Sequence, residues 1–391
     1  MTRNRRNIAL ALSGGGIRAA IFHLGVLGRL AKDELLDDVT FISTVSGGSL
    51  AIGLVYALSN NVWPTSTAYL ESIYPHARTC LTTIDLERAI ILEGITHPYL
   101  IVGHRAKLVS LALERCWGVH GKVNDIAMTP RWAINATSYE SGKDWRFTPH
   151  RMGDYVLNYV ENPAISLSDA LAASAGYPFL IGPLVLKTSQ HKWRQFLPTS
   201  TTETEPFAQP YEKIHLWDGG VYDNLGLEAI FKPYRSAGQE PFRKDVDFLI
   251  VSDASVPIEQ QVPRGLFYRR ARRLLAITMD QVRSLRERSV RAHFFAHPGS
   301  GIYLAIGKSG PTILSEAKQG SAMSEAPAGG FVDHDVQTAA RMPTRLSRVS
   351  RNDFDCVYRH GWDVAHHTIL ACSPNLLGTT DLSDIPCVAE S

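Results

Sequence analysis

One unit near the N-terminus limits what this chain can fold into: a short apolar run, a break of glycines, then a helical pattern. "NIALAL" is continuously apolar and fits a strand covered on both faces. It stops at "SGGG", after which "IRAAIFHLGVLGRLAKDELL" places Ile21, Leu24, Leu27 and Leu30 on one helical face. The plan returns at "VTFIST" and "GSLAIGLVYALSNN". Strand, glycine turn and helix in succession predict parallel strands joined by crossover helices. The expected fold is therefore α/β, with three layers and a mostly parallel central sheet.

Downstream, "IDLERAIILEGI" and "RAKLVSLALERCWG" predict a helical insertion over residues 64–121 of what reads as a single domain, 1–391. "RWAINATSYESGKDWRFTP" reads as two strands joined through a glycine turn, and "SLSDALAASAGYPF" as a helix capped by Ser166 or Ser168. "IHLWDGGVYDNLGLEAIF" repeats the strand, glycine turn and helix, and "DVDFLIVSDAS" is a further buried strand. Residues 190–210 and 312–350 read as loops, the second as a mobile one.

Forty basic against thirty-eight acidic side chains leave a net charge of +2, which selects no polyanionic partner. Cys80, Cys116, Cys356, Cys372 and Cys387 are scattered, with no C-x-x-C pair, so neither a zinc site nor a disulfide framework is expected. No cofactor or metal is implied. The apolar stretch Ile8–Leu12 is too short for a signal peptide, and no run of ~18 apolar residues occurs. A cytoplasmic location is the expectation.

Three glycine-flanked strand ends carry chemistry. In "TVSGG", Ser46 precedes Gly47 and Gly48 as in a nucleophile elbow, although Thr44 stands where the elbow's first glycine belongs. In "LSGGGIRAA", Gly14, Gly15 and Gly16 expose amides that suit a phosphate or the oxyanion of a tetrahedral intermediate, with Arg18 close by. The dinucleotide fingerprint fails at Ala19, and no Gly-Lys-Ser/Thr follows. In "WDGGVYDNLG", Asp218 precedes Gly219 and Gly220; Asp223 competes with it, and Asn224 is read as a helix cap. A carboxylate there takes a serine proton directly or orients a histidine that does so. At the carboxyl edge of a parallel sheet the three pieces share one crevice.

Together these stretches resemble the patatin-like phospholipase family, in the wider group that includes cytosolic phospholipase A2. The resemblance runs from about Asn7 to Asp253 and rests on "SGGGIR", "TVSGGS" and "DGG" with their flanks. It implies a nucleophile at Ser46, a general base at Asp218 with no catalytic histidine, and an oxyanion loop at Gly14, Gly15, Gly16 and Arg18. Thr44 and Ala19 depart from the family's glycines. The implied activity is hydrolysis of fatty-acyl esters in phospholipids or related glycerolipids through an acyl-enzyme.

Two other readings stay open. One is an α/β-hydrolase triad drawing on His360, His366 or His367, read as surface or capping groups. The other is a non-catalytic module that grips a phosphorylated ligand. Finally, the segment from Arg264 holds nine arginines before His293 and has helical periodicity. It reads as a core helix with a solvated basic face, or as one that docks on anionic headgroups through Arg269, Arg270, Arg272 and Arg273. Too few aromatics interleave with the arginines for nucleic acid.

Overall fold

The computed structural model describes residues 6–197, 200, 203–233, 241–256, 258, 267–320 and 333–376. The first unit forms as the apolar pattern dictates: β1 (Ile8–Leu12) leads into α1 (Gly16–Lys32), and β2 (Val39–Thr44) into α2 (Gly47–Leu58). The helical segment follows as α3 (Ser66–Ala68), a π turn at Tyr69–Ile73, α4 (Tyr74–Thr83), α5 (Leu86–Thr96) and α6 (Arg105–Trp117). Next come β3 (Arg131–Ser138), β4 (Asp144–Phe147), β5 (Arg151–Asp154), β6 (Asn158–Glu161) and α7 (Leu167–Ser174). Ser166 caps α7 by accepting from the Asp169 amide.

The chain continues through β7 (Leu184–Lys187), β8 (Trp193–Phe196), β9 (Thr204–Pro206), β10 (Lys213–Asp218), α8 (Gly220–Asp223) and β11 (Phe248–Asp253). It ends with α9 (Phe267–Ala296), β12 (Gly301–Ala305), α10 (Gly310–Gly320), α11 (Asp333–Arg341) and α12 (Arg351–Cys372). The two expected loops therefore carry secondary structure. Strands β8 and β9 form a hairpin within 190–210, and α10 and α11 occupy much of 312–350, whose middle lies outside the described residues.

One sheet collects the strands in the order β12-β11-β1-β2-β3-β4-β5-β6-β8-β9. The core β12-β11-β1-β2-β3 is parallel, as the crossover pattern requires, and the strands beyond β3 run antiparallel. Side-chain parity in β1 divides the interior. Ile8, Leu10 and Leu12 join the larger core, with residues of α1, α2 and α12. Ala9 and Ala11 face the other way, onto Leu225, Ile230, Phe231 and Val290 of α9. Helices thus cover both faces, and the architecture is α/β/α. Helix α12 crosses α1 backbone to backbone, since a Cβ on Gly25 would strike the Tyr358 carbonyl and one on Gly361 the Phe22 carbonyl.

Strand β10 departs from the sequence reading. It is antiparallel to β3, and α8 behind it is only four residues long. Thr44 of β2 pairs with Ile134, while Asp218 pairs with Ala136 farther along the same strand. β10 therefore descends toward the end of β2 from beyond it. Asp218 reaches the carboxyl edge of the parallel core head-on rather than alongside.

Candidate active site

Ser46 sits between β2 and α2 with φ 49° and ψ −114°, a conformation a side chain rarely adopts. It is half-buried, at the N-terminus of α2. The glycines after it are required by close approach: a Cβ on Gly47 would collide with the Gly16 carbonyl, and one on Gly48 would lie 2.5 Å from the Leu12 carbonyl oxygen. The elbow is therefore pressed against the glycine loop, as its small residues allow.

Asp218 is 2% exposed; its carboxylate accepts the Gly220 amide at 2.7 Å and lies near enough to the Ser46 hydroxyl for that group to favour its charged form. Burial raises this carboxyl from 3.8 to about 7, while the Gly220 amide and the Ser46 hydroxyl pull the other way. Gly219 fits because a Cβ there would lie 2.5 Å from the Asn135 carbonyl oxygen. Asp223 has different work: its oxygens accept from the amides of Leu225 (3.1 Å) and Glu228 (2.8 Å), holding the turn that follows.

In the glycine loop, Gly14 donates its amide to the Asn224 carbonyl at 3.1 Å, so it is spoken for. Gly15 (φ 145°) and Gly16 (φ 63°) take backbone angles that favour glycine, and among the described residues neither amide has an acceptor. Two unpaired donors thus lie beside the serine. Asn224 caps no long helix. Its side chain is wedged between Gly14 and Gly220 and donates to Ser255 Oγ at 2.9 Å.

Arg18 spends both terminal nitrogens on backbone carbonyls, and its buried Nε has no acceptor among the described residues. Its Nη1 donates to the Met342 carbonyl (2.7 Å) and its Nη2 to the Ala254 carbonyl (3.2 Å). Burial pulls its guanidinium down to about 10, against the pull of Asp253. The segment after α11 is bound at a second point, where Ile17 donates to the Arg345 carbonyl at 2.9 Å. Behind the loop, His23 is fully buried between Ser252 Oγ (2.8 Å) and the Ser13 carbonyl (2.9 Å), a contact only an Nε2–H tautomer makes.

The late histidines are interior, not surface, groups. His360 bonds the Ile306 carbonyl, His366 accepts from Arg29 at 3.1 Å, and His367 bonds the Asp363 carbonyl at 2.9 Å. A triad needs its acid on a histidine, whereas the groups that act on Asp218 are the Ser46 hydroxyl and the Gly220 amide, with no histidine among them. Among the described residues no group of three metal-ligating side chains occurs, and no helix is long and apolar enough to cross a membrane.

A family model for the patatin-like phospholipases matches residues 10–231, more than half of the chain. The chain belongs to the patatin-like phospholipase family. A patatin-like phospholipase domain-containing protein of Pyricularia oryzae is 27% identical over 234 residues, 59% of this chain and 25% of that protein. Mouse cytosolic phospholipase A2 gamma is 46% identical over 55 residues, 14% of this chain and 9% of that one. This patatin-like chain thus matches about a quarter or less of the length of these relatives. Human GIVD cytosolic phospholipase A2 has the same fold, with a TM-score of 0.54 and 16% identity, over 95% of this chain and 60% of that one.

Proposed function

We infer that this chain is a serine acyl hydrolase acting on fatty-acyl esters of phospholipids or related glycerolipids. The observation that carries the reading is the pairing of a strained Ser46 with a buried Asp218 carboxylate that feels its hydroxyl, beside the unpaired Gly15 and Gly16 amides. Asp218 takes the Ser46 proton as Oγ attacks the ester carbonyl. The charge that develops on the carbonyl oxygen meets the two amides and the N-terminus of α2. Collapse expels the alcohol, which leaves with the proton from Asp218, and the acyl group stays on Ser46. Water then attacks the acyl-enzyme, Asp218 accepts a proton from it, and the fatty acid departs as Ser46 is reprotonated. Arg18 acts here as a tether of the loop, since both its terminal nitrogens are engaged by carbonyls.

The lipid reading draws on family membership and on exposed apolar side chains. Exposed Phe179 and Leu180 follow Tyr177, and Gly176 beside it accepts the Asp218 amide. Ile91, Ile95, Tyr99 and Val102 are exposed on α5 and the turn before α6. Helix α9 passes the site with the Met279 methyl against Gly220, and Tyr177, raised first by burial, also feels the charges of Asp218 and of Arg272 near the start of that helix. A peripheral, headgroup-facing role for Arg269, Arg270, Arg272 and Arg273 fits that placement, in a protein that docks from the cytoplasm. The human relative of the same fold has been captured with methyl gamma-linolenyl fluorophosphonate, a fatty-chain reagent. The test is product analysis: purified protein should release fatty acid from phospholipid or glycerolipid vesicles, and Ser46→Ala should release none. Equal release by the variant would end the assignment.

A further inference from the structure

Beneath the elbow, five buried residues form a chain of hydrogen bonds whose direction is determined by chemistry alone. Trp132 Nε1 donates to Thr44 Oγ1 (2.9 Å), Thr44 Oγ1 meets Ser49 Oγ (2.8 Å), Ser49 Oγ meets Ser174 Oγ (2.8 Å), and Ser174 Oγ donates to the Asn135 carbonyl (2.6 Å). The indole is only a donor and the carbonyl only an acceptor. Ser174 spends its one proton on Asn135, so Ser49 must donate to Ser174, and Thr44 in turn to Ser49. Every hydroxyl is thereby fixed in one orientation. Thr44, Ser49 and Ser174 are each 0% exposed, so no water competes for these groups.

Ser174 Oγ also accepts the backbone amide of Ser46, at 3.1 Å. The carbonyl of the same residue accepts the amide of Gly219, next to Asp218, at 3.3 Å. A single residue at the end of α7 therefore holds the strained backbone of the serine with its side chain and the turn of the aspartate with its main chain. We propose that Ser174 is a positioning residue that sets the Ser46–Asp218 separation, and that Thr44 and Ser49 orient it for that task. Thr44 then has a reason to stand where an elbow glycine is expected, because its hydroxyl starts the one-way relay. This proposal rests on Ser46 being the nucleophile, but its structural half does not.

Four variants and one exchange measurement test it. Ser174→Ala leaves the Ser46 amide buried without an acceptor, and loss of one such bond corresponds to about a ten- to hundredfold fall in kcat with KM little changed. Thr44→Val keeps the shape and removes the hydroxyl; it should lower kcat in the same way by a smaller factor, and Thr44→Ser should restore it. The double variant should be no slower than Ser174→Ala alone, because both act through one relay. Hydrogen exchange supplies a readout independent of turnover: the Ser46 amide should lose protection in Ser174→Ala while amides of β1 keep theirs. Wild-type kcat in a folded Ser174→Ala, losses that multiply in the double variant, or a Ser46 amide still protected without the Ser174 hydroxyl would each overturn the proposal. Activity surviving in Ser46→Ala would instead remove the nucleophile assignment and leave the exchange result to judge the structural half.

Discussion

Asp218 faces two requirements that pull in opposite directions: burial that raises its proton affinity, and hydrogen bonds that favour its charged form. Burial dominates and brings the carboxyl to about 7. A base must be ionised to work, so kcat/KM should climb about tenfold per pH unit below that value and level off above it. The stability consequence has the opposite sense. The folded protein keeps a proton that the unfolded chain releases near 3.8, so the stabilisation is complete at low pH and lost as pH rises through about 7. Asp218→Asn should therefore raise the melting temperature by a few degrees at pH 8 and change it little at pH 4, measured by scanning calorimetry. Ser46 and Asp218 were legible in the sequence because their glycines are demanded by backbone contact. Ser174 was not: a serine within "ALAASAG" differs from its small neighbours only once α7 ends beneath the elbow. Nor does the triple glycine reveal which amides are free, because Gly14 is occupied by Asn224, a partner 210 positions away on the chain by their residue numbers.

At the level of elements, direction was the hidden variable. The pattern of β10 matches that of β1 and β2, but strand direction depends on the partner, and β10 pairs antiparallel with β3 and β7. Helix α9 likewise has the periodicity of an amphipathic helix with its expected sides partly exchanged. Arg283 is 9% exposed and ion-pairs with Asp253 (2.9 Å), Asp280 and Glu287, and Arg286 reaches Asp223 and Glu228. Leu274, Ile277 and Leu285 face solvent. Hydrophobicity says which residues prefer burial on average, but here the buried carboxylate at the end of β11 selects an arginine. Arg283→Met would leave Asp253 with the Tyr303 hydroxyl but without its cation. Breaking such a pair costs about 3–5 kcal/mol, which denaturant unfolding should register. The neighbouring Ser252 and Ala254 hold His23, Ser13 and Arg18, so the glycine loop should loosen with it.

For the whole molecule, the parallel core and its two cores of side chains followed from the apolar runs and the β3–β4 hairpin from its glycine turn, while the rest of the antiparallel wing did not. Its strands are short, and their pairing is fixed by register rather than by any single stretch of sequence. The same scale governs how an ester reaches a half-buried serine. Exposed Phe179 and Leu180 lie on the turn after α7 that holds the Asp218 amide, and Ile95, Tyr99 and Val102 are exposed on the helical segment; exposed arginines begin α9. Contact with a lipid surface would cover both. Replacing Ile95 and Val102 by glutamate should depress hydrolysis of anionic vesicles severalfold and leave a soluble short-chain ester unaffected. Reversing Arg269, Arg270, Arg272 and Arg273 should weaken vesicle binding most at low salt, where headgroup attraction is least screened.

Reaction of the protein with a long-chain fluorophosphonate, followed by peptide mass spectrometry, interrogates the serine and its base together. The wild type should acquire one phosphonyl group, on Ser46; Ser46→Ala should acquire none, and Asp218→Asn should react more slowly by about a thousandfold or more. A folded wild-type protein whose Ser46 stays unmodified, or one that Asp218→Asn labels at the same rate, would contradict the assignment.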